Sequence, residues 1–153
     1  MLDDLWQTIG DSELAFQIGA TYWFPLIESI HVLAIVTLVG AIMLADLRIL
    51  GWFAREEALQ PHVNNLTRFA WWALPISLLT GLGLFISRPA GYAENTAFQI
   101  KLVLLLLAAL NVWLLYRQWR PNPGYRYVPW HAGVSLVLWV GAVFAGRWIG
   151  HLS

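Results

Sequence analysis

Trp23-Phe24-Pro25-Leu26-Ile27-Glu28-Ser29-Ile30-His31-Val32-Leu33-Ala34-Ile35-Val36-Thr37-Leu38-Val39-Gly40 is an apolar run interrupted by one acid and one base. It continues to Ala45, and a helix that crosses a bilayer needs about 20 mostly apolar residues. The stretch therefore reads as a membrane span. Ionisable side chains are costly in hydrocarbon and usually face a bundle interior, a cavity or a cofactor. Glu28 and His31 stand at i and i+3, on one face of the helix. They are the first pointer to a function.

The rest of the chain agrees with a membrane setting. It has 153 residues, of which 59% are hydrophobic and 12% charged. Soluble domains have about 45–50% apolar and about 25% charged residues. One domain spanning 1–153 is the simplest organisation. The formal net charge is zero, which gives no reason to expect a nucleic-acid partner. The absence of cysteine excludes disulfides, thiolate metal sites and iron–sulfur ligation. Several of the ten tryptophans and five tyrosines fall at the ends of apolar runs, where such rings anchor at the interface.

Four spans are predicted, at about 22–45, 69–86, 100–116 and 131–150. The expected fold is an all-α integral membrane four-helix bundle with short loops. Pro25 and Pro75 are tolerable inside spans, because neighbouring groups re-satisfy freed carbonyls. Gly81, Gly83, Gly133, Gly141 and Ala145 offer small faces for close helix approach. The start, Met1-Leu2-Asp3-Asp4, is acidic where a cleavable signal is basic. Residues 5–20 read as an amphipathic segment along the membrane surface, with Leu5, Trp6, Ile9, Leu14, Phe16 and Ile18 on it.

Charge sets the expected orientation. Arg48, Arg55 and Arg68 lie between spans one and two, and Arg117, Arg120 and Arg126 between three and four. The opposite side carries Arg88, Lys101 and Arg147 among Asp3, Asp4, Asp11, Glu13 and Glu94. Positive-inside reasoning makes the two basic loops cytoplasmic. Both termini are then external, which in a bacterial inner membrane means periplasmic.

Depth brings several polar groups together. His31 is about nine residues into its helix, or ~13 Å from the outer end at 1.5 Å per residue. Thr80, Lys101 and Arg147 fall in the same outer half, with His151 one turn beyond Arg147. Glu28, His31, Thr80, Lys101 and Arg147 are expected to surround one outer cavity. Two readings stay open: a ligand site, or a structural network pairing Glu28 with Lys101 or Arg147 and His31 with Thr80. His131 opens the fourth span at the opposite interface and reads as structural, and His62 as a solvated loop residue. His151 reads as incidental in the bland account. Asn111 reads as an interhelical hydrogen bond. Arg48, two residues from Asp46 and off its face, is expected to meet a neighbouring helix, the loop or lipid phosphate. Pro121 to Tyr125 reads as a turn.

Along its whole length the chain resembles an uncharacterised family of four-helix bacterial membrane proteins. The motifs are Leu26 to Leu33, Asp46 to Gly51, Leu79 to Gly81, Phe98 to Lys101 and Gly146 to Gly150. It is more distantly similar to CopD copper-resistance proteins and to HemJ-type protoporphyrinogen oxidases. His31, Leu47-Arg48, Pro75 with Gly81, and Lys101-Leu102 follow the HemJ-type order. Where that pattern has a second histidine late in helix three, this chain has Asn111 and Tyr116. The resemblance implies a b-type haem with His31 as axial ligand and Lys101 near the porphyrin or substrate. The CopD likeness implies copper.

Three functions follow. The leading expectation is a haem b protein with a redox role, compatible with a haem-dependent membrane oxidoreductase, with Lys101, Arg147 and Arg88 on the side that porphyrin propionates need. The second is a transition-metal site, copper or another divalent ion, held by His31, Glu28 and His151. The third is an accessory subunit of a larger membrane complex. The expected partners are the lipid bilayer and either a second copy or that complex.

Overall fold

A computed structural model describes residues 2–56, 58–119, 121 and 126–151. Among them there is no strand. Two short helices, α1 (Leu2–Gly10) and α2 (Glu13–Ala20), precede the first long one, α3 (Trp23–Ile49). Then come α4 (Leu59–Ser87), the short α5 (Pro89–Glu94), α6 (Thr96–Trp119) and α7 (Val128–Trp148). A 3-10 turn, Ile149–His151, ends the described chain. The four long helices are long and apolar enough to cross a membrane. The protein is an all-α, multi-pass bundle.

The packed pairs are α3 with α4, α6 with α7, and α3 with α7. Two helical hairpins are thus joined through α3 and α7. What is buried between them is mostly small. Ala34, Ala41 and Ala45 of α3, Ala70 and Ala73 of α4, Ala108 of α6, and Ala132 and Ala142 of α7 are all buried. Many large apolar side chains, such as Leu33, Trp72, Leu79, Leu106 and Val137, face outward. Lipid is as apolar as leucine, so no hydrophobic gain drives large side chains inward. Small residues let backbones approach and gain dispersion contacts instead.

Helix ends differ from the apolar windows. The first span runs to Ile49 rather than about 45, and the second begins at Leu59 rather than about 69. The third covers 96–119 and the fourth starts at Val128. Hydropathy falls where polar side chains begin, but the backbone keeps its helical hydrogen bonds into the interface. The segment Gln60-Pro61-His62-Val63-Asn64-Asn65 is therefore helical. His62 is accordingly not a loop residue. It lies in the first turn of α4, half-buried, with its ring 5.9 Å from that of Phe53.

Capping explains the stops. Past Leu50, Gly51 has φ +78. Its N–H donates to the Arg48 carbonyl at 3.0 Å, and Trp52 N–H donates to the Leu47 carbonyl at 3.0 Å. This is a Schellman ending, and glycine suits it because it has no Cβ penalty. Pro25 proves to be the third residue of α3, where no intrahelical N–H is lost. Asn95 caps α6: Oδ1 accepts from the N–H of Ala97 at 3.0 Å and of Phe98 at 3.2 Å. Its Nδ2 donates to the Ile149 carbonyl at 3.1 Å, tying the cap to the end of α7.

The N-terminal segment becomes two helices with a Ser12 cap on the second, where Oγ accepts from Ala15 N–H. They pack on protein at the end where α4 stops, α1 mainly against α5 and α2 against α4 and α3. Trp6 meets Phe85 edge-on at 5.6 Å, while Leu5, Leu14 and Phe16 remain exposed. The turn expected at Pro121 to Tyr125 lies outside the described residues apart from Pro121, as does Arg120.

Asn95→Ala removes two cap bonds and the tie to Ile149. It should cost about 1–3 kcal/mol. The neighbouring exposed Thr96→Ala should stay within about 0.5 kcal/mol. Chemical unfolding in mild detergent checks both.

Candidate functional site

The α3–α4 hairpin brings His31 to Thr80, with His31 Nδ1 2.9 Å from Thr80 Oγ1. The expected pairing across these two helices is present. The direction of the bond follows from counting protons. Thr80 Oγ1 lies 2.6 Å from the Ile76 carbonyl oxygen, four residues back. Two oxygens that close need a proton between them, and a hydroxyl has only one. Thr80 therefore donates to Ile76 and accepts from His31. Nδ1 thus carries a proton, and the backbone carbonyl of Ser77 is a further hydrogen-bond acceptor for the ring.

Gly81 makes this geometry possible. A Cβ there would stand 3.1 Å from His31 Cε1, closer than side chains ordinarily tolerate. The imidazole thus lies directly against the α4 backbone. Lys101 of α6 acts electrostatically on the His31 ring. The Lys101 side chain in turn passes over Gly146 of α7, with Nζ 3.5 Å from where a Cβ would be. His31, Thr80, Lys101 and Gly146 thus bring all four long helices to one locus. Lys101 is half-buried and makes no hydrogen bond or ion pair among the described residues.

Other expected members stand apart. Glu28 is exposed and pairs with neither Lys101 nor Arg147, so the anticipated salt-bridge network does not form. Its carboxylate instead acts on Tyr92 of α5. Arg147 is exposed and has no partner among the described residues. A helix turns 100° per residue. With Gly146 facing Lys101, Arg147 is carried outward at nearly the same depth. His151 sits exposed in the terminal turn, its ring 6.3 Å from Trp148. Among the described residues no three His, Asp or Glu side chains gather to hold an ion. The three-ligand set of Glu28, His31 and His151 is therefore not assembled.

Sequence reading missed the aromatic floor under this end. Phe85 of α4 and Phe98 of α6 stack at 5.6 Å and 16°, and Tyr92 lies 5.6 Å from Phe98. Phe85 and Phe98 end up together because α5 reverses the chain within six residues. Burial first, then the Glu28 carboxylate, push the Tyr92 phenol above its ordinary value, while Arg88 opposes them.

Histidine 131 belongs to the other end. Its Nδ1 lies 2.7 Å from Asn111 Oδ1, and Asn111 Nδ2 donates to the His131 carbonyl at 3.0 Å. The expected interhelical bond of Asn111 is present, and His131 is its partner. At that end a crevice of about 600 Å³ is lined by Asn64, Arg68, Trp71, Tyr116 and Trp119 among others, away from His31. Arg48 is buried within the protein. Comparison with protein-family models, curated proteins and solved structures finds no match.

Gly40 has nothing within 4 Å of an added Cβ. Gly40→Ala should therefore stabilise the helix by up to about 1 kcal/mol. Gly81→Ala should lose that gain and move the His31 ring, seen as a changed histidine ¹⁵N spectrum. For Tyr92, the folded state holds its proton more tightly than the unfolded state. Its contribution to stability should thus fall as pH rises through the ordinary phenol range towards the raised folded value. Glu28→Gln should lower the Tyr92 midpoint and Arg88→Gln should raise it, read by NMR titration.

Proposed function

We propose that this chain is a b-type haem protein with a redox role, with His31 as axial ligand. The observation that carries the reading is a His31 ring oriented from one side, with Nδ1–H donated to Thr80 and no side-chain hydrogen bond at Nε2 among the described residues. Histidines that ligate metals almost always donate their other ring N–H to such a partner, which fixes tautomer and orientation. Lys101, which acts electrostatically on the ring and has no hydrogen bond or ion pair among the described residues, would supply a cation for a propionate. Among the described residues α4 and α6 are not an extensively packed pair. A planar group would enter between them beside the stacked Phe85 and Phe98. Of the four histidines, His31 is the one that would hold it. His131 is committed to Asn111, His62 lies against Phe53, and His151 is exposed at the chain end.

When bound, haem would supply one-electron chemistry, held by His31 with Lys101 as a cation for a propionate. The protein's own part would be to orient the imidazole through Thr80. Arg48, Arg55, Arg68, Arg117 and Arg126 belong to the end opposite His31, and positive-inside reasoning makes that end cytoplasmic. In a bacterial inner membrane the His31 site and both termini are then periplasmic.

An absorption spectrum of the detergent-purified protein, oxidised and dithionite-reduced, should give a Soret band and reduced α and β bands. His31→Ala should abolish the bands while the protein still elutes as a folded species, and His62→Ala should retain them. Thr80→Val should weaken haem retention roughly 10–100-fold by releasing the ring. A colourless wild type from haem-replete cells sinks the assignment and leaves the accessory-subunit reading.

A further inference from the structure

The α3–α7 interface contains a second polar locus, far from His31. Asp46 of α3 is 5% exposed, and Ser135 and Trp139 of α7 are 3% and 7% exposed. Asp46 Oδ2, Ser135 Oγ and Trp139 Nε1 are all buried with no hydrogen-bond partner among the described residues. Ser135 is the polar side chain that faces Asp46. Ser135 and Trp139 stand at i and i+4 on one face of α7, and a helical side chain leans over the turn N-terminal to its own Cα. The indole therefore leans towards Ser135. Asp46 thus faces Ser135 across two packed helices, with Trp139 one turn away on the same face of α7, and native proteins satisfy nearly every such buried group.

Their chemistry selects the occupant. Trp139 Nε1 can only donate, Asp46 can accept, and Ser135 can do either. A metal cation would meet the indole N–H head-on. A water molecule accepts from the indole and bonds both Ser135 and Asp46, and buried waters typically have about three such partners. Among the described residues Asp46 makes no ion pair, and no charged group of α3, α4, α6 or α7 is a cause acting on it. Arg48, two residues on, lies off its face. An unpaired carboxylate buried in this way is costly, whereas a protonated one is a neutral hydrogen-bonding group. One turn from Ser135 towards the α7 N-terminus is His131, the first residue of that face with a titratable ring, and it is half-buried.

We propose that Asp46, Ser135 and Trp139 enclose one internal water, and that Asp46 is a buried proton-holding carboxyl. It exchanges its proton through that water with the aqueous phase at the α3–α4 loop end. The transfer is simple: the Asp46 O–H bond breaks as the water takes the proton, and re-forms in reverse. The proposal does not depend on the haem reading.

Infrared spectroscopy of the full-length protein in lipid tests it. Wild type at neutral pH should give a carboxylic-acid C=O band above the amide region. The band should shift in D₂O, vanish in Asp46→Asn, and move in both Ser135→Ala and Trp139→Phe. No band in wild type, or a band that survives Asp46→Asn, overturns the protonated carboxyl. A band insensitive to D₂O overturns the exchange. A band unmoved by Ser135→Ala and Trp139→Phe overturns the water site. Those two variants conserve most of the buried volume, so they remain informative if Asp46→Asn fails to fold.

Discussion

Close approach of helix backbones through alanine is the constraint on which this structure depends. Ala41 and Ala45 on α3, Ala70 and Ala73 on α4, Ala108 on α6 and Ala132 on α7 are buried where the long helices meet. In lipid the hydrophobic effect does not hold helices together, so van der Waals contact and hydrogen bonds between helices carry more of the association. Small residues provide the first. They also shorten the distance that a polar side chain must cross, and so enable the second.

Each packed pair of long helices has its own polar link. His31 and Thr80 join α3 to α4, Asn111 and His131 join α6 to α7, and Asp46 faces Ser135 between α3 and α7. The first two links are formed hydrogen bonds, at 2.9 and 2.7 Å. The third contains unsatisfied atoms, and this sets it apart from an ordinary packing contact. The His31 ring lies against the α4 backbone at Gly81, with the Ser77 carbonyl as well as the Thr80 hydroxyl acting on it.

Sequence reading recovers height along a helix better than direction around it. The four spans were legible because apolar length is nearly sufficient evidence of a crossing. His31 and Thr80 were matched by depth, and depth alone was enough for them. Arg147 has a suitable depth too, yet it points outward because Gly146 occupies the inward position against Lys101. Glu28 shares a nominal face with His31 but reaches the α5 side, an element too short to show in a hydropathy window. Asn111 declared itself as an interhelical donor, though its partner could not be named before the register of α6 on α7 was known. Helix ends were misjudged where polar side chains continue a helix beyond the hydrocarbon, as from Leu59 to Arg68.

The outward distribution of large side chains has an optical consequence. Trp23, Trp52, Trp71, Trp72, Trp113, Trp130 and Trp148 are exposed on the protein, whereas Trp119 and Trp139 are buried. A quencher carried on lipid acyl chains reaches indoles at the protein–lipid boundary and is kept from those behind the helices. The residual emission in such a bilayer should come mainly from the inner pair. Trp139 lies among Leu38, Val39, Ala41 and Ala108. Its fluorescence would then act as a built-in reporter of how tightly the two hairpins are closed on each other, with no label added.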